Sequence, residues 1–403
     1  RSFAGISVKR LLSFVLIAGL LVAPAAHAAP KKIAVKPLQL LTTVGTPEEV
    51  SGVVASGKSL IVYGSKAAKA YARAVDTTGK ELWNLSLDQS LASIATAAVV
   101  DSVGDIWIAG ATPLALGLTP PSPAATPINP DNAAAVPTTN VGNLQAVTLW
   151  RVTAAGVLAG TNTLPTSSVV FPTAISVDRN GASIVGIIGT EKGSAGFIVN
   201  TDKAGLFGKL LQIGLSSTTA DAVVRHTDGS FTVAGSSSET LVGKKVAGVT
   251  DGVLIKISKA LKITSVVRSS AVKGKRIWNS ATSTLLLGGE VVAGGKTETA
   301  ITKFTTSFAP TWTYRFPSTG PAITVGSTYA AFISTGPTPQ LNWNPKVATP
   351  LLLTFNAKGT VVAADSGPIG QKELLGAILS KELGLLVVTA SADTVSIFTL
   401  IPR

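Results

Sequence analysis

The sequence predicts an all-β fold assembled from repeated four-stranded antiparallel units, and three observations carry that prediction. The stretch Ala97–Gly110, AAVVDSVGDIWIAG, reads as two short strands meeting at a tight turn. Asp101 can accept the N–H groups of that turn, and Gly104 can take a left-handed backbone. Variants of this hairpin return along the chain. Their first strands begin at Ser51, Ala97, Ala174, Ala222, Lys275, Ala322 and Gly376, mostly about fifty residues apart. Composition agrees, with 39 glycines, 46% hydrophobic and only 14% charged residues. Outside the N-terminus no long run has the 3.6-residue period of a helix.

Taken in order, the chain opens with an export leader over residues 1–28. Arg1, Lys9 and Arg10 precede the apolar run Leu11–Val22, and Ala26-His27-Ala28 is a small-residue cleavage site. Cleavage is expected near Ala29, leaving a secreted or envelope-associated chain with no further membrane span. A single domain over 29–403 follows. Its units cover about 46–88, 90–164, 169–214, 216–270, 271–318, 319–368 and 369–403. The first six have four strands. The seventh has three, and a spare strand at 33–44 precedes the first unit. Adding that strand to the last unit yields seven four-stranded blades, so the expected fold is a seven-bladed β-propeller. An open array would leave sheet edges unpaired.

The blade turns are DTTGKELW at Asp76–Trp83, DSVGDIWIAG at Asp101–Gly110, DRNGASIVGIIG at Asp178–Gly189 and HTDGSFTVAG at His226–Gly235. In these turns the chain resembles secreted bacterial β-propeller repeat proteins, and the first is similar to a quinoprotein-type blade turn. The resemblance implies the fold; proteins sharing it have diverse roles.

Composition also excludes chemistry. Cysteine is absent, and outside the leader His226 is the sole imidazole. Disulfides, thiolate catalysis, His-based triads and multi-His metal sites are therefore excluded. No catalytic residue, metal or cofactor is expected. The acidic calcium site of a quinoprotein dehydrogenase and the boxes of a sialidase-like propeller are not found. Asp101, Asp178 and Asp228 read as turn formers and His226 as a surface turn residue. Trp83, Trp107, Trp150, Trp278 and Trp312 lie on strands and should pack between blades.

Three insertions separate second and third strands. Residues 111–145 form a Pro/Ala-rich loop, 237–251 carry Lys244 and Lys245, and 336–349 carry Asn342, Trp343 and Asn344. Up-and-down connectivity gathers all three on one face of the disc, where loops on a rigid scaffold bind ligands. Lys244, Lys245, Asn342, Trp343 and Asn344 are the candidate ligand residues. Between Gly252 and Gly289 there is no acid, while Lys256, Lys259, Lys262, Arg268, Lys273, Lys275 and Arg276 fall inside. These are expected to form a band that docks on an anionic polymer. Nucleic acid is disfavoured by export and by the lack of interleaved aromatics. The resulting expectation is an exported, non-catalytic, monomeric binding or scaffold propeller, its partner a protein or an anionic or polysaccharide envelope component. The alternatives are a hydrolase or lyase acting on an extracellular polysaccharide, and a purely structural envelope protein.

Overall fold

The structure is a computed structural model that describes residues 31–89, 92–114 and 143–401. The leader and most of the 111–145 loop lie outside these residues. The chain divides into Arg1–Lys32 and Ile33–Arg403, and the second unit carries the strands. Two short strands come first, β1 (Val35–Pro37) and β2 (Gln39–Thr43). Blade one is β3 (Val50–Ser56), β4 (Ser59–Lys66), β5 (Lys69–Val75) and β6 (Glu81–Ser86). Blade two is β7 (Ile94–Val100), β8 (Ile106–Pro113), β9 (Leu144–Val152) and β10 (Leu158–Pro165). Blade three is β11 (Val170–Asp178), β12 (Gly181–Thr190), β13 (Gly193–Thr201) and β14 (Phe207–Ile213). Blade four is β15 (Thr218–Arg225), β16 (Phe231–Ser237), β17 (Asp251–Ile257) and β18 (Ile263–Ser269). Blade five is β19 (Lys275–Ala281), β20 (Leu286–Ala293), β21 (Lys296–Phe304) and β22 (Pro310–Pro317). Blade six is β23 (Ile323–Val325), β24 (Tyr329–Ser334), β25 (Thr349–Phe355) and β26 (Val361–Ser366). Blade seven is β27 (Glu373–Ser380), β28 (Gly384–Ala390) and β29 (Val395–Thr399), completed by β2.

The first strands touch in the cyclic order β3, β7, β11, β15, β19, β23, β27 and back to β3. They line the centre of a seven-bladed propeller. The closing segment is shared between two blades, where the sequence suggested one. β2 pairs antiparallel with β29, Gln39 opposite Thr399 and Thr43 opposite Ser396. β1 instead pairs parallel with β26, Val35 opposite Ala364. Leu38 sits at the switch, donating its N–H to the Ser366 carbonyl at 2.8 Å and packing into the junction of blades six and seven. One short segment thus covers the edges of two neighbouring sheets.

Each blade junction holds its own apolar cluster. Trp150 and Ile108 pack with Ile61 and Ala72 between blades one and two, and Trp278 with Leu254 between four and five. Strands covered on both faces read as continuous apolar runs, such as IWIAGA in β8. Fourth strands alternate, as in the ELWNLS of β6. Trp83 and Trp312 lie on fourth strands and cross to the next blade. A Cβ added at Gly156 or Gly359 would fall about 2.4–2.6 Å from those indoles, so only glycine permits the contact.

The glycine late in the second strand of blades one to five has a related cause. β15 bulges between Ala220 and Ala222, and Gly235 on β16 faces Ala220. The bulge drives the Thr219 carbonyl to within 2.1 Å of where a Gly235 Cβ would stand. Gly64, Gly110, Gly186 and Gly289 meet carbonyls of Glu49, Ile94, Phe171 and Ile277 in the same way, at 1.9–2.3 Å. A bulge in the first strand and a glycine in the second are one device, repeated in five blades.

The turns opposite the insertions also repeat. At Asp101 the Gly104 N–H bonds the Asp101 carbonyl at 3.2 Å, and the Val103 and Asp105 N–H groups reach its carboxylate at 3.0 Å. The same closure recurs at Asp76, Thr153, Asp202 and Asn356, with a glycine at the left-handed position. At Ser258, Thr282 and Thr305 that position holds Leu261, Leu285 and Phe308, at φ of 57°, 59° and 64°. Burial of Leu285 and Phe308 in the cluster between blades four and five offsets that backbone cost.

Candidate functional site

The insertions at 237–251 and 336–349 join β16 to β17 and β24 to β25, so both leave from the face opposite these turns. The first is a folded knot. Glu239 takes N–H groups of Leu215, Ser216 and Ser217 at 2.9–3.1 Å and the Thr218 hydroxyl at 2.7 Å. Burial would raise its carboxyl, but these four donors prevail and hold it at about 2. Buried Asp251 accepts the Ala247 and Gly248 N–H groups at 2.9 Å each and pairs with Arg268 at 3.3 Å. Arg268 also donates to the Lys244 carbonyl at 3.1 Å and to the Ser237 and Glu239 carbonyls. The knot rests on the crossing between blades four and five, with the Val249 N–H bonded to the Gly274 carbonyl at 2.9 Å.

This wiring decides which expected cations are free. Lys244, Lys245, Lys273 and Lys275 are exposed together where the knot meets the crossing. Val242, Val249 and Val272 are exposed among them. Arg268 is spent inside the knot. Arg276 is half-buried over Trp278, 4.8 Å from the ring centroid, and donates to Thr302. Lys259 and Lys262 sit in the turn between β17 and β18 on the opposite face, with Lys256 near that end of its strand. The seven cations expected as one band are therefore divided, because β17 and β18 each span the full thickness of the disc.

Trp343 folds back on its blade. Its indole donates to Ser334 Oγ at 3.0 Å, and the ring packs on the junction of blades five and six. The N-terminal segment fastens the loop: Ile33 donates to the Gln340 carbonyl at 3.0 Å and accepts from the Asn342 N–H at 2.9 Å. The Asn342 and Asn344 side chains remain exposed beside it. Trp343 thus serves as an anchor that fixes the two amides.

In the centre, the bulge residue Asp221 is partly exposed, and burial pushes its carboxyl up to about 6 against a 2.6 Å hydrogen bond from Thr219. At the turn-side mouth a cavity of about 320 Å³ is lined by Asp178 and Arg225 among apolar residues such as Val99 and Val223. That carboxylate is engaged: Arg225 Nε lies 2.9 Å from Asp178 Oδ2 and Nη2 donates to Oδ1 at 3.0 Å. The mouth thus presents one carboxylate, paired with an arginine, where typical glycoside hydrolysis uses two. Among the described residues no group of three His, Asp or Glu side chains converges as a metal site would require. His226 bonds Thr232 at 2.6 Å, and burial lowers its imidazole.

Comparison with known proteins supports the architecture. No family profile matches the chain, and no curated protein is similar to it. A WD40 domain of coronin from Toxoplasma gondii superposes with a TM-score of 0.50 at 10% identity, over 93% of this chain and 90% of that one. A Bacteroides fragilis protein with a provisional assignment as a 6-phosphogluconolactonase reaches 0.47 at 8% identity, over 83% and 88%. At 10% identity the likeness to the coronin domain concerns the fold alone.

Proposed function

We propose that this chain is an exported binding propeller that docks an anionic polymer on its insertion face, through Lys244, Lys245, Lys273 and Lys275. The observation that carries the reading is the second insertion. Glu239, Asp251 and Arg268 hold it in place by hydrogen bonds that leave the four lysines outside. Four lysines on a fixed surface lose less conformational freedom on binding than lysines on a loose loop. Lys273 and Lys275 fall in a stretch, 252 to 289, that has no acid to offset their charge locally. Exposed Asn342 and Asn344, set by Trp343, add amide donors and acceptors on the same face. A polysaccharide bearing carboxylates meets both features.

The test is retention on an anionic polysaccharide matrix under a salt gradient. Wild type should elute later than a variant with Lys244, Lys245, Lys273 and Lys275 changed to Gln. A control changes Lys58, Lys80, Lys259 and Lys358 on the turn face, removing the same charge. Equal elution of the two variants would reduce the effect to bulk charge and overturn the proposal.

A further inference from the structure

On the turn face, away from the insertions, blades two and three enclose a second cavity of about 280 Å³. Its charged and aromatic lining is Asp101, Trp107, Arg151, Asp178, Arg179 and Lys203. Three cations and two anions line it, and Asp178 is further matched by Arg225 from the neighbouring blade, while Asp101 keeps its charge but has its oxygens occupied. Asp101 takes two backbone N–H groups on one oxygen and the Trp107 indole N–H, at 3.0 Å, on the other. Asp178 is held by Arg225 and by the Asn180 N–H at 2.7 Å. Among the described residues, Arg151, Arg179 and Lys203 have no carboxylate within ion-pairing distance.

Arg151 is built into the wall. Its guanidinium carbon lies 4.4 Å from the centroid of Trp107, whose indole is itself fixed by Asp101. The next blade's turn closes on its stem at Gly205, where a Cβ would stand 3.3 Å from Arg151 Cδ. Arg151 Nε is buried without a hydrogen-bond partner. With Nε shielded, the planar guanidinium is fixed on the ring by stacking, and Arg151 lines the cavity as a held cation. Arg179 and Lys203 stand exposed on two separate turns and can close on whatever enters.

We propose that this cavity binds an oxyanion, a carboxylate or phosphate borne on a compact solute, with Arg151 as the principal donor and Arg179 and Lys203 at the rim. The planar fork of arginine suits both groups. The volume, just under the range of about 300–1,000 Å³ for ligand pockets, admits one ring-sized body rather than a chain.

Isothermal titration of the full chain with glucuronate, inorganic phosphate and glucose tests this. At least one of the anions should bind saturably and more weakly as salt rises, with glucose showing no saturable heat. Binding by phosphate alone identifies a phosphate source, and binding by glucuronate a carboxylate source. Arg151→Gln should lower the affinity about ten-fold or more. Arg179→Gln/Lys203→Gln alters exposed residues and should weaken binding several-fold even if Arg151→Gln does not fold. Absence of saturable anion binding, glucose binding as well as the anions, or undiminished affinity in the double variant would overturn the proposal.

Discussion

Gly235→Ala measures how tightly the bulge and the glycine are joined. The added Cβ would stand 2.1 Å from the Thr219 carbonyl oxygen, 2.8 Å from its carbon and 3.1 Å from Ala220 Cα. Carbon–oxygen contacts normally lie near 3.3 Å or beyond, so roughly 1 Å of main-chain displacement is needed. Side-chain repacking cannot supply it, because every obstacle is backbone. Overpacking costs about 1–3 kcal/mol, and the buried, hydrogen-bonded site places this change at the upper end. An unfolding entropy of about 2.1 cal/mol/K per residue, taken over about 370 residues, converts 3 kcal/mol to a melting decrease of ~4 °C if the ring melts as one unit. Gly160→Ala on β10 is the control, since its Cβ meets nothing within 4 Å. That change should be neutral, or stabilising by up to about 1 kcal/mol through the unfolded chain. Calorimetry of both, with Gly110→Ala as a second test, decides the matter. Melting of Gly235→Ala within about 1 °C of Gly160→Ala would refute the reasoning.

Asp221→Asn should stabilise the protein at pH 8 and lose that advantage by pH 4. The native carboxyl at about 6 lies above its unfolded value, so the folded state binds the extra proton and stability falls as pH rises through that window; thermal melts across pH check it. Glu239→Ala should free the second insertion, and limited trypsin should then cut at Lys244 and Lys245 before the blades, which mass spectrometry of early fragments would show; wild-type cleavage at the same rate would contradict the knot. Deleting 33–44 uncovers β26 and β29, so the truncated chain should melt lower and associate on light scattering; an unchanged monomer would contradict the closure.

The blades were legible in the sequence because the hairpin is a local object. Asp101 and Gly104 announce a turn by their own chemistry, and Gly110 and Gly235 record a neighbour's carbonyl. The turns of blade five were hidden for the converse reason. Leu285 and Phe308 take the left-handed position that glycine would have advertised, and what permits this is burial between two sheets, which no local pattern carries. The double role of the N-terminal segment was also out of reach. A strand count shows that an edge needs covering, but the parallel pairing of Val35 with Ala364 depends on how two blades stand together. For the candidate site, residue type was readable and availability was not. Lys244 and Arg268 both read as cations, yet one is exposed and the other is enclosed by carbonyls and Asp251. Arg151 was not legible either, since an isolated arginine on a strand carries no signal until Trp107 and Gly205 are seen around it.

The two proposed surfaces share a physical origin. In each turn or insertion, one side chain meets the backbone's hydrogen-bonding demand and so releases its neighbours. Asp202 accepts the Ala204 and Leu206 N–H groups at 2.8 and 2.9 Å, so Lys203, next after it, has no part in closing the turn. Asp178 takes the Asn180 N–H and frees Arg179. Glu239 and Asp251 do the same on a larger scale for Lys244 and Lys245. A repeated turn therefore fixes its capping residue and leaves the next position free, and the two turns of blade three bring Arg179 and Lys203 to one rim. Charge placed there is held by the scaffold without being consumed by it. That separation accounts for cations on both faces of the disc whose acids are spent internally, and it is why removing a cap such as Glu239 should disturb a binding surface that the cap never touches.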